Sequence, residues 1–185
     1  MKGKPLAKIR GMMAATLDGY VADARGGVGF LNEFQHVDWG WSGFIAEIGT
    51  VVMGRKTYDH IWQLTPDWPY PDCAGIVLGH PAEALHANCT LWRDGLDALV
   101  AHLRALDGKD VWIVGGPSLQ AQFIAKGALD RLELCLVPRL IGTGIRLFPD
   151  TGGPALQPRL HASRSLPEGM VLLDYRFGAR GGRER

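Results

Sequence analysis

Two short runs carry residues that suit a phosphate-bearing ligand. Gly54-Arg55-Lys56-Thr57 sets two cations and a hydroxyl directly behind the β-branched run Thr50–Met53. Arginine offers a planar fork that matches phosphate oxygens, lysine a compact point charge, and threonine one more donor. In VWIVGGPSLQAQ (Val111–Gln122) an apolar run stops at Gly115-Gly116, and Pro117, Ser118, Leu119 and Gln120 then open a helical pattern. A strand that turns straight into a helix leaves N–H groups without partners at the positive end of the helix dipole, where an anion is stabilised. Glycine keeps side chains out of the way, and Pro117 loses nothing where its missing N–H would have had no partner. A third run, Ala74–Leu78, closes on Gly79, with His80 behind it as a further group for a phosphate. The plainer alternatives are a solvated basic turn capped by Thr57, an ordinary tight turn at Gly115-Gly116, and a bystander histidine.

The elements that must hold these turns read as alternating strands and helices. Leu6–Thr16 forms a first strand that turns at Asp18-Gly19, and the glycines at 26, 27 and 29 mark a loop that could act as a lid. Asp38–Ile48 forms a short helix, with Trp41, Phe44, Ile45 and Ile48 at helical spacing. Arg55 to Ile61 continues as another. Asp94 caps an amphipathic helix carrying Leu96, Leu99, Val100 and Leu103, and a Ser118–Lys126 helix ends at Gly127. Arg131–Val137 is a strand, Pro138–Gly144 a loop, and Gln157–Ser165 pairs with Met170–Phe177 as a terminal hairpin. This order implies an α/β fold: a mostly parallel central sheet with an antiparallel C-terminal hairpin and helices on both faces. Such sheets bind ligands beyond the carboxyl ends of their strands. Three ends closed by glycine suit a long ligand, a dinucleotide. Neither GxGxxG nor a P-loop is present, and Gly142-Thr143-Gly144 does not complete one.

Composition narrows the partners. The 185 residues are 46% hydrophobic and 21% charged with net charge +1, as expected of one globular domain over 1–178 with a flexible basic tail at 179–185. No basic footprint for nucleic acid is visible. No segment approaches the roughly 20 apolar residues of a membrane span. Cys73, Cys89 and Cys135 form no close pair, which argues against disulfides and a metal cluster. With no apolar stretch behind Met1–Lys8 to make a signal peptide, a cytoplasmic protein is expected.

Four stretches resemble the dihydrofolate reductase superfamily, in the family's order from Ile9 to Phe177: AATLDGYVA (Ala14–Ala22), VVMGRKTYD (Val51–Asp59), VWIVGGPSLQAQFI (Val111–Ile124) and LELCLVPRLIGTGIRLFP (Leu132–Pro149). The likeness is nearest to stand-alone members related to the reductase domain of riboflavin-biosynthesis enzymes. It implies a dihydrofolate-reductase-like three-layer fold and NADPH bound across the strand ends. Gly54, Arg55, Lys56 and Thr57 would face the 2′-phosphate and pyrophosphate, with Gly79 and His80 near the former. Gly115, Gly116, Pro117, Ser118, Leu119 and Gln120 would surround the pyrophosphate and nicotinamide ribose, with a cis bond between the glycines and Ala15 beside the nicotinamide.

For Asp38 the resemblance implies pterin or pyrimidine recognition with proton delivery through water; the alternative is a helix N-cap ahead of Trp39–Ile48. Trp41 and Phe44 either wall a flat heterocycle or belong to the core. Asp18 reads as a turn residue. The chain departs from the riboflavin-type pattern in holding Thr16 and Tyr20 around the LDG turn, and from true dihydrofolate reductases in GFLNEFQHVDWGW (Gly29–Trp41). The implied activity is NADPH-dependent hydride transfer to a small pyrimidine- or pterin-type heterocycle, of the 5-amino-6-(5-phosphoribosylamino)uracil reductase type. The alternatives are dihydrofolate reductase activity and a non-catalytic dinucleotide-binding protein. Homodimerisation is implied by the resemblance alone.

Overall fold

A computed structural model of the chain describes residues 6–79, 85–150 and 155–178. In chain order the first strands are β1 (Ile9–Thr16), β2 (Tyr20–Ala22), β3 (Ile48–Gly54), β4 (Ala74–Leu78) and β5 (Cys89–Trp92). Next come β6 (Asp110–Gly115), β7 (Arg131–Val137), β8 (Ile145–Arg146), β9 (Arg159–Ser165) and β10 (Val171–Arg176). The helices are α1 (Trp41–Ala46), α2 (Arg55–Leu64), α3 (Gly95–Arg104) and α4 (Pro117–Ala125). Eight strands form one sheet in the order β5-β4-β3-β6-β1-β7-β10-β9. Pairing is parallel from β5 through β7, and β10 and β9 close the sheet antiparallel. This is the α/β architecture the sequence implies, with the dihydrofolate-reductase-like arrangement of helices around a mostly parallel sheet.

The central strands are buried on both faces, which is why they read as unbroken apolar runs. Val111 and Ile113 of β6 face a core with Ile9, Val52, Leu99, Leu103 and Phe123, beneath α3 and α4. Trp112, between them, points the other way into a core with Phe44, Val51, Met53, Tyr58 and Ile61, beneath α1 and α2. Burying each such side chain contributes roughly 1.5–3 kcal/mol.

Several elements depart from expectation. The helix expected over Asp38–Ile48 shrinks to Trp41–Ala46, because Gly40 takes a left-handed φ of 98° and Ile48 already belongs to β3. The short β5 and the β2–β8 pair had no sequence signature. Asp94 occupies the cap position of α3, but its side chain makes no capping bond. Gly127 ends α4 as expected, with φ of 64°. Its N–H bonds Ile124 O at 2.9 Å while Ala128 N–H bonds Phe123 O at 2.9 Å, closing the helix in the Schellman pattern. The terminal hairpin turns through a 3-10 segment, Pro167–Gly169.

Candidate functional site

Three neighbouring parallel strands end level with one another. Gly54 pairs with Leu78, the residue before Gly79, and Met53 pairs with Gly115. Two helices begin at this edge: α2 is capped by Gly54 and α4 by Gly116, neither with a side-chain capping bond and neither with an acidic residue in its first turn. Two positive helix ends thus begin at one sheet edge with no carboxylate in their own first turns to neutralise them, a setting that suits an anion. A Cβ on Gly116 would stand 3.5 Å from Thr57 Oγ1, so the start of α2 lies against the Gly115-Gly116 turn. Gly115 has φ of 148°, a conformation that needs glycine, and the Gly115–Gly116 bond is cis.

Arg55 is the first residue of α2. Its guanidinium carbon lies 5.2 Å from the centre of the Tyr58 ring, and its Nε donates to Asp59 Oδ1 at 2.8 Å. Gly79, with φ of 130°, leaves room for it: a Cβ there would stand 3.0 Å from Arg55 Cβ. Lys56 and Ser118 are exposed at this edge, and His80 lies outside the described residues.

The other residues of the Gly115–Gln120 run face differently. Leu119 packs into the core with Ile113 and Phe123. Gln120 is fully buried, and neither its Oε1 nor its Nε2 has a hydrogen-bond partner among the described residues. It lies against Gly11 of β1, where a Cβ would come within 2.5 Å of Gln120 Oε1. Ala15 is fully buried against Leu134 and Leu147, near the carboxyl end of β1.

At that end of β1 the structure shows more than a turn. Asp18 Oδ1 accepts from the Thr16 hydroxyl at 2.5 Å, and Oδ2 accepts from the backbone N–H groups of Ile141 at 3.0 Å and Gly142 at 2.7 Å. One carboxylate therefore ties the β1–β2 turn to the loop after β7. The Thr16 hydroxyl, with the Gly142 and Ile141 N–H groups, holds the Asp18 carboxyl below its ordinary range.

Asp38 is exposed and accepts from Gly40 N–H at 2.8 Å. The N-cap expectation for it is corrected: Gly40 holds that position, and Asp38 braces the turn ahead of it. Phe44 is buried, with Trp112 edge-on at 5.3 Å and the Arg10 guanidinium 4.8 Å over its ring. Trp41 is only half-buried and lies edge-on to Trp112 at 5.6 Å and Trp39 at 5.5 Å. Of the two aromatic candidates, Trp41 is the one that reaches the surface.

The opposite, amino edge of the sheet holds a charge cluster that sequence reading missed. Arg10 is 2% exposed and binds Glu47, Asp110 at 3.1 Å and Glu133 at 2.7 Å. Arg131 extends the cluster to Glu133 at 2.8 Å and Asp174 at 3.0 Å. Burial acts to lower the Arg10 pKa, but the hydrogen bonds that Arg10 donates to Glu133 and Glu47 outweigh it and raise the value.

The chain is similar to known proteins in sequence and in fold. The sequence model of the RibD C-terminal domain matches residues 7–172. YwjB, an uncharacterized protein of Bacillus subtilis (strain 168), is 36% identical over 138 residues, which cover 74% of this chain and 79% of that protein. The crystal structure of a protein assigned to riboflavin biosynthesis in Shewanella sp. PV-4 is similar at a TM-score of 0.81 and 25% identity, over 92% of this chain and 99% of that one. Dihydrofolate reductase from Enterococcus faecalis, solved with NADP(H), is similar at a TM-score of 0.66 and 15% identity, over 91% of this chain and 95% of that one. That last likeness is one of fold.

Proposed function

The chain belongs to the RibD C-terminal domain family, and from that membership we propose that it is an NADPH-dependent reductase. Its proposed substrate is a small pyrimidine- or pterin-type heterocycle, of the 5-amino-6-(5-phosphoribosylamino)uracil reductase type. The observation that carries the reading is the glycine edge, where two helix ends without side-chain caps and the Arg55 guanidinium meet at three level strand ends. These groups fit a dinucleotide. Arg55 Nη1 is buried with no partner among the described residues, and Gly79 and Gly115 bring no side chain to this edge.

Arg55, Lys56 and Thr57 would hold the 2′-phosphate and pyrophosphate, and Gly115 to Ser118 the pyrophosphate and ribose, with Gln120 beneath them and Ala15 lining the nicotinamide end. The chemistry supplied by bound NADPH is hydride donation from its dihydronicotinamide ring. Trp41 would flank a flat substrate at the surface of the aromatic cluster. Asp38, being solvent-exposed, would pass a proton through water to the atom next to the reduced carbon. The Asp18 carboxylate keeps the turns around Ala15 and Gly142 in register with one another. The proposal includes a cytoplasmic homodimer, for which the fully exposed edge strand β9, carrying Leu160 at 54% exposure, offers a pairing edge.

One observation favours a second reading, a dinucleotide-binding protein without turnover: the Asp38 carboxylate already accepts the Gly40 N–H. Deuterium transfer from 4-deuterated NADPH to aminopyrimidine and dihydropterin substrates separates the two. Label in the product establishes a reductase, and its position names the substrate. Saturable NADPH binding with no transfer to any of them supports the binder.

A further inference from the structure

We infer that Asp59 is a specificity-determining residue that tempers the preference of Arg55 for a 2′-phosphorylated cofactor. The inference rests on the NADPH reading above, in which Arg55 meets the 2′-phosphate. The Arg55 side chain is only 17% exposed and is held from several sides: Tyr58 lies under the guanidinium and Gly79 lies against Cβ. Packing therefore fixes its orientation. Asp59, one helical turn along and 50% exposed, binds the Nε side at 2.8 Å, while Nη1 stays buried without a partner among the described residues.

A phosphate can then use only the Nη groups, and it must approach a cation whose charge is already shared with a carboxylate. An exposed pair at this helical spacing adds little to orientation. Its like charge nevertheless repels an incoming phosphate dianion across a few ångströms of incompletely screening surroundings. NADH has no 2′-phosphate to feel that repulsion. Asp59 thus acts on NADPH more strongly than on NADH, which brings only the pyrophosphate to this turn, and the chain discriminates between them less sharply than Arg55 alone would make it.

Asp59→Asn separates charge from position, because its amide oxygen still accepts from Arg55 Nε. Titrations of wild type and variant with NADPH and with NADH, followed by tryptophan emission, measure the ratio of affinities. We expect Asp59→Asn to tighten NADPH about three- to tenfold and NADH by less, so that the NADPH-to-NADH ratio rises, with the gain shrinking as salt is added. Asp59→Glu, which keeps the charge, should hold the wild-type ratio, and Asp59→Ala should behave like the asparagine variant. An Asn variant whose NADPH-to-NADH ratio is unchanged or lower, beside a wild type that binds NADPH, overturns the role of Asp59 and leaves the cofactor reading standing. A wild type that binds neither dinucleotide overturns both.

Discussion

The two ends of the sheet handle charge in opposite ways. At the carboxyl edge, α2 and α4 start on glycine, without capping side chains or first-turn acids, and Arg55, paired with Asp59 through Nε, keeps a buried Nη1 without a partner among the described residues. At the amino edge, Arg10 is buried among Glu47, Asp110 and Glu133, and Arg131 joins Glu133 to Asp174. Positive charge left wanting a partner is what a binding surface requires. At Arg10 the Nε has no partner among the described residues, but both terminal nitrogens are met by carboxylates, and charge so met serves the fold. Substitutions at the first edge should therefore alter affinity more than stability, and those at the second should do the reverse.

The largest effect is expected at Arg10. Arg10→Met keeps much of the volume but leaves three carboxylates without their shared cation, two of them largely buried. Breaking a buried ion pair from one side costs about 3–5 kcal/mol, which for a chain of this size lowers the melting temperature by about 6–20 °C. Cofactor affinity of the folded fraction should not change. The pH dependence follows from Glu47, whose pKa the hydrogen bond from Arg10 lowers against the opposing effect of burial. A carboxyl with a depressed folded pKa contributes stability that is present above its ordinary range and is lost as pH falls through the folded value. The gap between wild type and Arg10→Met should thus narrow in acid. Thermal unfolding of both proteins from neutral to acid pH measures it; a gap that widened in acid would break the assignment of this edge to the fold.

Arg55→Ala is the counterpart. Hydrogen bonds to a charged group contribute about 1.5–3 kcal/mol, so NADPH affinity should fall about ten- to a hundredfold. Stability should fall by about 1 kcal/mol, less than at Arg10, because the largely buried side chain loses its packing on Tyr58. Parallel NADPH titration and urea unfolding test the pair of statements. A loss of stability with NADPH affinity intact would make this edge structural like the other.

The two edges were not equally legible. Each glycine turn lies within a few residues of chain, as an apolar run halted by Gly54, Gly79 or Gly115, so local pattern alone reveals it. The Arg10 cluster joins residues 37, 100 and 123 positions apart, and a lone arginine in an apolar run gives no sign of which carboxylates will meet it. Asp18 looked like a plain turn for the same reason: its N–H partners, Ile141 and Gly142, lie 123 and 124 residues away. Strands as short as Cys89–Trp92 and Ile145–Arg146 are set by their neighbours and carry no periodicity of their own. The Asp38 cap failed because Gly40, two residues on, adopts the left-handed conformation that starts the helix there.

Between the edges lies a seam where α4 crosses β1. Gly11→Ala puts a carbon 2.5 Å from Gln120 Oε1 and 2.9 Å from Leu132 Cδ1. Overpacking of this kind costs about 1–3 kcal/mol. If the clash with the amide dominates, pairing Gly11→Ala with Gln120→Ala should cost less than the two single changes added together, a coupling of about 0.5–3 kcal/mol in a double-mutant cycle. Additive losses would mean that Leu132 is the obstacle.

Gln120 itself decides to which edge the seam belongs. Its amide is fully buried with both polar atoms unpartnered among the described residues, a state that costs about 1–3 kcal/mol relative to an apolar group of the same shape. Gln120→Leu conserves most of the volume, so unfolding free energy should rise by about 1 kcal/mol. The informative quantity is NADPH affinity measured beside it. Should Gln120 act only as filler between α4 and Gly11, stability rises and affinity stays put, and the binding edge ends at the exposed Ser118. Should the amide steady the Gly115-Gly116 turn from beneath, affinity falls even as the protein becomes harder to unfold. Opposite movements of the two quantities would place Gln120 with the carboxyl edge, where Arg55 Nη1 is likewise buried without a partner among the described residues.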